Sequence, residues 1–434
     1  MIAHTNMFGN MIKNRIEGIT IYSVFLFLLF YASPFIDSFT GFLIYSDVIP
    51  VGGGNVSPSV VLRLLIFFMG FVFITKAQFR IILSVVLLIV IFEFIGFFAV
   101  HNQLAGFFVG INYSFKTVYA IMLCMVIYTF LESRRLGFDD LLLIFRTCVL
   151  LYALVIIVPS AFGLGVSTYG KNSATWGRIG FLASGNGAGA VMGIGSLISL
   201  YIFNKRKKKA DLFIYIITLV TCYIIATKGT LLFSAVNLLI IFYLMKWRYK
   251  LLSVTLILLL ITTVSDQVIN LLLQSIDVIK YRYERSPNFI LFLTSGRISY
   301  LDYALDQYNL DGFAFFRLFF GFGAFQSFRA TDFDFDIGKA QYYLEAELFD
   351  VFFIYGIFGT LCYLLFFILT FVAGYKNKRT FFLIPWTLCT IYSMFAGHMI
   401  FNGMSILAIV VLFNLIIYRN TKFEHTQSTE LNAT

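Results

Sequence analysis

Apolar runs of roughly 17–25 residues, each long enough to span about 30 Å of hydrocarbon as helix, recur along the chain. No alternating strand pattern of the outer-membrane-barrel kind accompanies them, so the sequence reads as an all-α polytopic membrane protein. Composition agrees: 60% of residues are hydrophobic and 12% charged, whereas soluble domains carry about 25% charged residues. The first run follows Lys13 and Arg15 without a small-residue cleavage site, and reads as a retained anchor.

Twelve spans are expected, at 17–36, 59–75, 81–100, 117–131, 141–159, 180–203, 211–227, 229–245, 251–265, 348–373, 380–396 and 404–418. The basic residues test this independently. With the N-terminus inside, cytoplasmic segments hold Lys76/Arg80, Arg134/Arg135, "KRKKK" at 205–209, Lys246/Arg248/Lys250, Lys376/Lys378/Arg379 and Arg419/Lys422. The short outer loops hold only Lys116, Lys171, Arg178 and Lys228. This asymmetry follows the positive-inside rule and places both termini in the cytoplasm. The expected organisation is nine spans over 1–265, a large extracytoplasmic loop with interfacial helices over 266–347, three spans over 348–418 and a cytoplasmic tail over 419–434. The net charge of +10 then reflects topology and contact with anionic membrane lipid, with no nucleic-acid partner.

All five cysteines fall inside expected spans, and the four histidines show no zinc spacing; neither a disulfide framework nor a metal site is expected. "DFDFD" (Asp332, Asp334, Asp336) departs from a calcium loop, with Ile337 where Gly is needed and Tyr343 where Glu is needed. The loop at 266–347 opens on an amphipathic stretch suited to the interface. It continues through a segment dense in aromatics, Gly and Arg, which argues against disorder.

Charges in the bilayer cost about 2.5–3.5 kcal/mol and tend to be functional. Arg63 and Glu93 lie at similar depth and are expected to pair across their hairpin, either as a structural ion pair or as a working one; Arg63 snorkelling outward is the alternative. Arg146, near the inner end of its span, is expected to snorkel. At the outer face Arg178, Lys228 (in the tight hinge "ATKGT") and Arg297 can together grip phosphate. Arg63 joins them as a candidate. "GNGAGAVMG" places Gly185, Gly189 and Gly193 at the four-residue spacing of close helix packing, or of a groove for an isoprenoid chain. "EAELFDVFFIYG" at 345–356 sets Glu345, Glu347 and Asp350 immediately before an apolar run. If 345–347 is extended, Glu345 and Glu347 share a side; if the helix has begun there, Glu347 and Asp350 share a face and Glu345 points elsewhere.

The ordered motifs "RIGFLASGNGAGAVMG", "ATKGTLLFSAVNLL", "SGRISYLDYAL" with "FFGFGAF", and "EAELFDVFFIYGIFG" resemble the Wzy/WaaL superfamily of O-antigen and capsule polymerases and O-antigen ligases. The resemblance covers roughly residues 170–375 and the late large loop. It implies a glycosyltransferase of the GT-C type, without metal, cofactor or nucleotide sugar, in the bacterial inner membrane. Such an enzyme moves a glycan from undecaprenyl diphosphate to a sugar hydroxyl at the outer face, and polymerases often work with a chain-length regulator. Arg178 matches the family's arginine before the Gly/Asn-rich helix. Lys228 stands where many members have Ser-Arg, which keeps the charge but loses the planar fork. Ligases carry a histidine some eleven residues before Gly-x-x-Gly (here Gly356 and Gly359), and this chain has Glu345 there. That departure favours the polymerase branch.

The implied displacement at an anomeric carbon needs an acceptor for the incoming hydroxyl's proton and cations for the leaving diphosphate. Glu345 is the expected base, with Glu347 as a further candidate; His398 ("AGHMIFNG") faces outward and either assists or is a hydrogen-bonded turn residue. Asp350 is expected mainly to complement the helix dipole. Tyr300, Tyr342 and Tyr343, with Tyr303, Tyr308, Phe313 and Phe325, can stack on sugar or form the loop's own core. A ligase is the alternative within the superfamily; outside it stands a lipid-linked glycan flippase using Arg63 and Glu93 as a coupling pair.

Overall fold

The computed structural model describes residues 21–49, 57–97, 104–168, 177–248, 250, 301, 305, 314–321, 323–324, 346–395 and 397–419. Among them the regular structure is helical, apart from an isolated bridge between Ser167 and Arg178. The helices are α1 (Ile21–Tyr45), α2 (Pro58–Gly70), α3 (Lys76–Gly96), α4 (Leu104–Glu132), α5 (Phe138–Ala161), α6 (Gly185–Arg206), α7 (Lys209–Ile225), α8 (Lys228–Leu244), α9 (Ala314–Phe320), α10 (Glu347–Lys376), α11 (Thr380–Phe395) and α12 (Gly403–Ile417). Six of them, α1, α3, α4, α5, α6 and α10, are long and apolar enough to cross a membrane. The chain is an all-α membrane protein. Eleven of the twelve expected segments carry a helix; 251–265 lies outside the described residues.

α1 corrects its expected boundary of residue 36 by running on to Tyr45. Asp37 interrupts the apolar run, but its carboxylate is satisfied inside the protein, so the helix continues past it. Pro34 has no N–H to donate, and the π-helical turn Phe27–Ala32 lies immediately before it. Ser33 Oγ donates to the Leu28 carbonyl at 3.0 Å within this stretch.

The chain forms two compact units interleaved in sequence: Met1–Ile81, Leu142–Arg282 and Phe335–Gln341 in unit one, and Ile82–Leu141, Tyr283–Asp334 and Tyr342–Thr434 in unit two. Unit one is built around α6, which is buried along nearly its whole length. Its glycines explain how. A Cβ on Gly189 would lie 2.9 Å from Thr230 Cγ2, one on Gly193 would enter the Phe233 ring, and one on Gly195 would meet Val149. The small-residue stripe therefore lets α8 and α5 approach the α6 backbone, which is the packing reading of that motif.

In unit two, α12 is buried on most sides, and α10 packs with α9, α11 and α12. Trp386 Nε1 donates to the Phe367 carbonyl at 3.0 Å, joining α11 to α10. α10 is not one rod. Gly356 has φ +64° and ψ −162°, outside helical values, which separates residues 347–355 from the long apolar remainder. At this break a Cβ on Gly356 would meet the backbone of Phe319 and Phe320, so only glycine lets α9 lie so close.

Candidate active site

In unit two the chemistry gathers where α10 begins and α11 passes into α12. α10 starts at Glu347, with Ala346 as a cap that offers no side-chain hydrogen bond. Glu347 and Asp350 fall on one helix face, as their spacing predicts, and both engage the connection at 397–402. His398 Nε2 lies 2.6 Å from Asp350 Oδ2; the Asp350 side chain is 3% exposed and that of His398 15%. An imidazole held by a carboxylate at one nitrogen has its tautomer and orientation fixed. Asp350 lies in the first turn of α10, as expected for a residue complementing the helix dipole, and it has a second role. It is the partner of His398.

Glu347 does a different job. Its Oε1 accepts from three successive backbone amides, Met399 at 3.0 Å, Ile400 at 2.5 Å and Phe401 at 2.9 Å. Tyr363 donates to Oε2 at 3.3 Å and is itself hydrogen-bonded to Ser393. The residue is wholly buried. A carboxylate this occupied clamps the 399–401 backbone to the start of α10. Ser405 completes the turn by donating to the Met399 carbonyl at 2.8 Å. Phe401 stacks on Tyr113 of α4 at 4.9 Å between centroids, and Lys116 sits 4.3 Å above that tyrosine ring.

In unit one a cationic end is assembled from the backbone. Residues 166–168 and 177–180 pair: Ile179 N–H donates to Val166 O at 3.1 Å and Thr168 N–H to Gly177 O at 2.9 Å. Arg178 N–H donates to Ile224 O at 2.9 Å, fixing it beside the C-terminus of α7. Two residues link α7 to α8: Ala226 in the left-handed region, and Thr227, whose side chain caps α8 by accepting from Thr230 N–H. Lys228 is the first residue of α8. The N-terminus of α6, capped by Ser184, arrives at the same place, since a Cβ on Gly189 would lie 3.0 Å from Thr227 Oγ1. Arg178 and Lys228, both half-buried, thus share one end of unit one with two helix N-termini, each carrying about half a positive charge.

Arg63 belongs to a separate centre. Its Nη2 lies 2.7 Å from Asp37 Oδ1, with side-chain exposures of 20% and 7%. Asp37 also accepts from Ser59 Oγ at 2.6 Å and Tyr152 Oη at 2.7 Å. Glu93, in unit two, accepts from Ser114 Oγ at 3.2 Å and from Ala324 N–H at 2.5 Å. The expected pairing of Arg63 with Glu93 is therefore replaced by partners within each unit. Arg146 pairs with Asp211, which also lies 3.4 Å from Arg206, so it is neutralised inside the protein and does not snorkel.

Glu345, Arg297, Tyr300, Tyr342 and Tyr343 lie outside the described residues, as do Tyr303, Tyr308, Phe313, Phe325 and the "DFDFD" aspartates. The His398–Asp350 pair was missed because it joins residues 48 apart. The available signal was topological: both were expected at the outer face. No family model matches the chain, and no curated protein matches it.

Proposed function

We propose that the chain polymerises undecaprenyl-diphosphate-linked oligosaccharide repeats at the outer face of the bacterial inner membrane, as a twelve-span protein with both termini cytoplasmic. The observation that carries this reading is the His398–Asp350 pair, whose Asp350 lies at the start of α10 within the motif region that resembles the polymerases. The nitrogen of His398 facing away from Asp350 takes the proton of the acceptor hydroxyl, and Asp350 stabilises the resulting imidazolium. The hydroxyl oxygen bonds to the anomeric carbon, the carbon–oxygen bond to the diphosphate breaks, and its electron pair leaves on undecaprenyl diphosphate. Within unit one, Arg178 and Lys228 beside the α6 and α8 N-termini make an end suited by itself to binding phosphate. Arg63, committed to Asp37, is not part of this set.

The flippase reading is weakened because it required Arg63 and Glu93 as a coupling pair, and each is engaged within its own unit. The test is genetic and then chemical. Deleting the protein is expected to reduce the surface-glycan ladder to a single repeat, and the purified protein to extend a lipid-linked repeat without nucleotide sugar. An intact ladder would overturn the reading; free lipid-linked polymer with bare core would indicate a ligase.

A further inference from the structure

Glu93 is 2% exposed and plays no part in the chemistry above. Two glycines make room for its carboxylate: a Cβ on Gly110 of α4 would run into it, and one on Gly323 would lie 2.5 Å from Oε2. Its donors come from two different elements, the Ser114 hydroxyl of α4 and the Ala324 amide just beyond α9. The segment carrying Ala324 is itself bound to α10. Gly323 N–H donates to the Ile354 carbonyl at 3.0 Å, immediately before the break at Gly356, and Gly321 N–H closes α9 onto Arg317 O at 2.7 Å. Gly321 and Gly323 both have positive φ, +69° and +82°, and a Cβ on Gly321 would collide with the Ile354 carbonyl. Tyr355, the last residue before the break, donates to Ser114 Oγ at 2.9 Å. The carboxylate on α3 thus meets the strap at Gly323 and Ala324 and the Ser114 hydroxyl of α4, which in turn accepts from Tyr355 at the end of the 347–355 segment.

That segment carries Asp350, and Tyr113 stacks on Phe401 in the loop that carries His398. We propose that Glu93 is a positioning residue: it latches the 321–324 strap and Tyr355 in place, and so holds the 347–355 segment in the register that sets Asp350 against His398. The inference deepens the proposed active site and rests on its pair. A hinge at a glycine break has no register of its own; the backbone contacts from the strap supply it, and Glu93 anchors the strap.

The test reads His398 directly. Full-length protein in nanodiscs is acylated with diethyl pyrocarbonate, and peptide mass spectrometry separates His398 from His4, His101 and His425. Asp350→Asn calibrates the signal by loosening the pair. Glu93→Ala is expected to raise the His398 rate about fivefold or more, by freeing the strap's amide from its acceptor. Glu93→Gln keeps a carbonyl that accepts from Ala324 N–H, and is expected to stay within about twofold of the parent. Gly323→Ala, whose Cβ displaces the carboxylate, is expected to behave as Glu93→Ala and serves if that variant does not fold. His398 rates equal to the parent in Glu93→Ala and Gly323→Ala would overturn the proposal, as would Gln reacting as fast as Ala. Normal polymerisation by Asp350→Asn and His398→Ala would remove the catalytic reading while leaving the acylation result to decide the latch.

Discussion

The two units neutralise buried carboxylates by different means. Unit one sets them against arginine: Asp37 against Arg63, and Asp211 against Arg146 and Arg206. In unit two the donors to Glu347 and Glu93 include backbone amides and hydroxyls, and Asp350 faces an imidazole. An arginine pair is a fixed bond between two helices, and its purpose is met when it forms. Amides brought to a carboxylate instead fix a loop's path, and an imidazole brought to one is prepared for proton transfer. On the proposed reading the difference separates a scaffold from a site, although both look alike as acidic residues in apolar sequence.

The comparison can be broken in several places. The largest expected effect is on activity: His398→Ala and Asp350→Ala should each lower the rate of repeat addition by about 10²–10⁴-fold, measured with purified protein and a lipid-linked repeat, with folding retained. Unequal losses of many-fold would mean that they do not act as a pair. Next is charge in unit one. Asp37→Asn leaves Arg63 without its counter-charge and should cost roughly 3 kcal/mol, read as a lowered unfolding midpoint in detergent, with the rate per folded molecule unchanged. Gly193→Ala drives a methyl toward the Phe233 ring and should cost about 2 kcal/mol by overpacking, by the same measurement. The smallest effect sharpens the contrast most. Glu347→Gln keeps an oxygen for the three loop amides, so it should cost only about 1 kcal/mol. If it destabilised as much as Asp37→Asn, charge would govern both units and the distinction would fail.

The helices were legible because a bilayer demands length: runs set against roughly 30 Å of hydrocarbon leave little freedom in where a helix lies. The glycine stripe of α6 was legible too, since its four-residue spacing carries a face. Partnership was not. Arg63 met Asp37 rather than Glu93, because sequence depth says how far down a charge lies and nothing about which neighbour is beside it. The extension of α1 past residue 36 has the same cause: an aspartate ends an apolar run on paper, but not when Arg63, Ser59 and Tyr152 surround it. The acidic cluster before α10 stands out in the sequence, yet the contacts of Glu347 and Asp350 are with a loop some fifty residues later. Gly356 gave no warning, because an isolated glycine in a membrane helix is ordinarily tolerated.

That glycine has a mechanical consequence. Bilayers differ in thickness, and a continuous helix answers by tilting as a whole, which would swing anything mounted on its end. Here the break at Gly356 divides α10 into a short segment and a long apolar one, so their axes need not coincide. Asp350 is carried on the short side of the break and tethered to the 397–402 loop, while Tyr363 on the long side reaches back to Glu347.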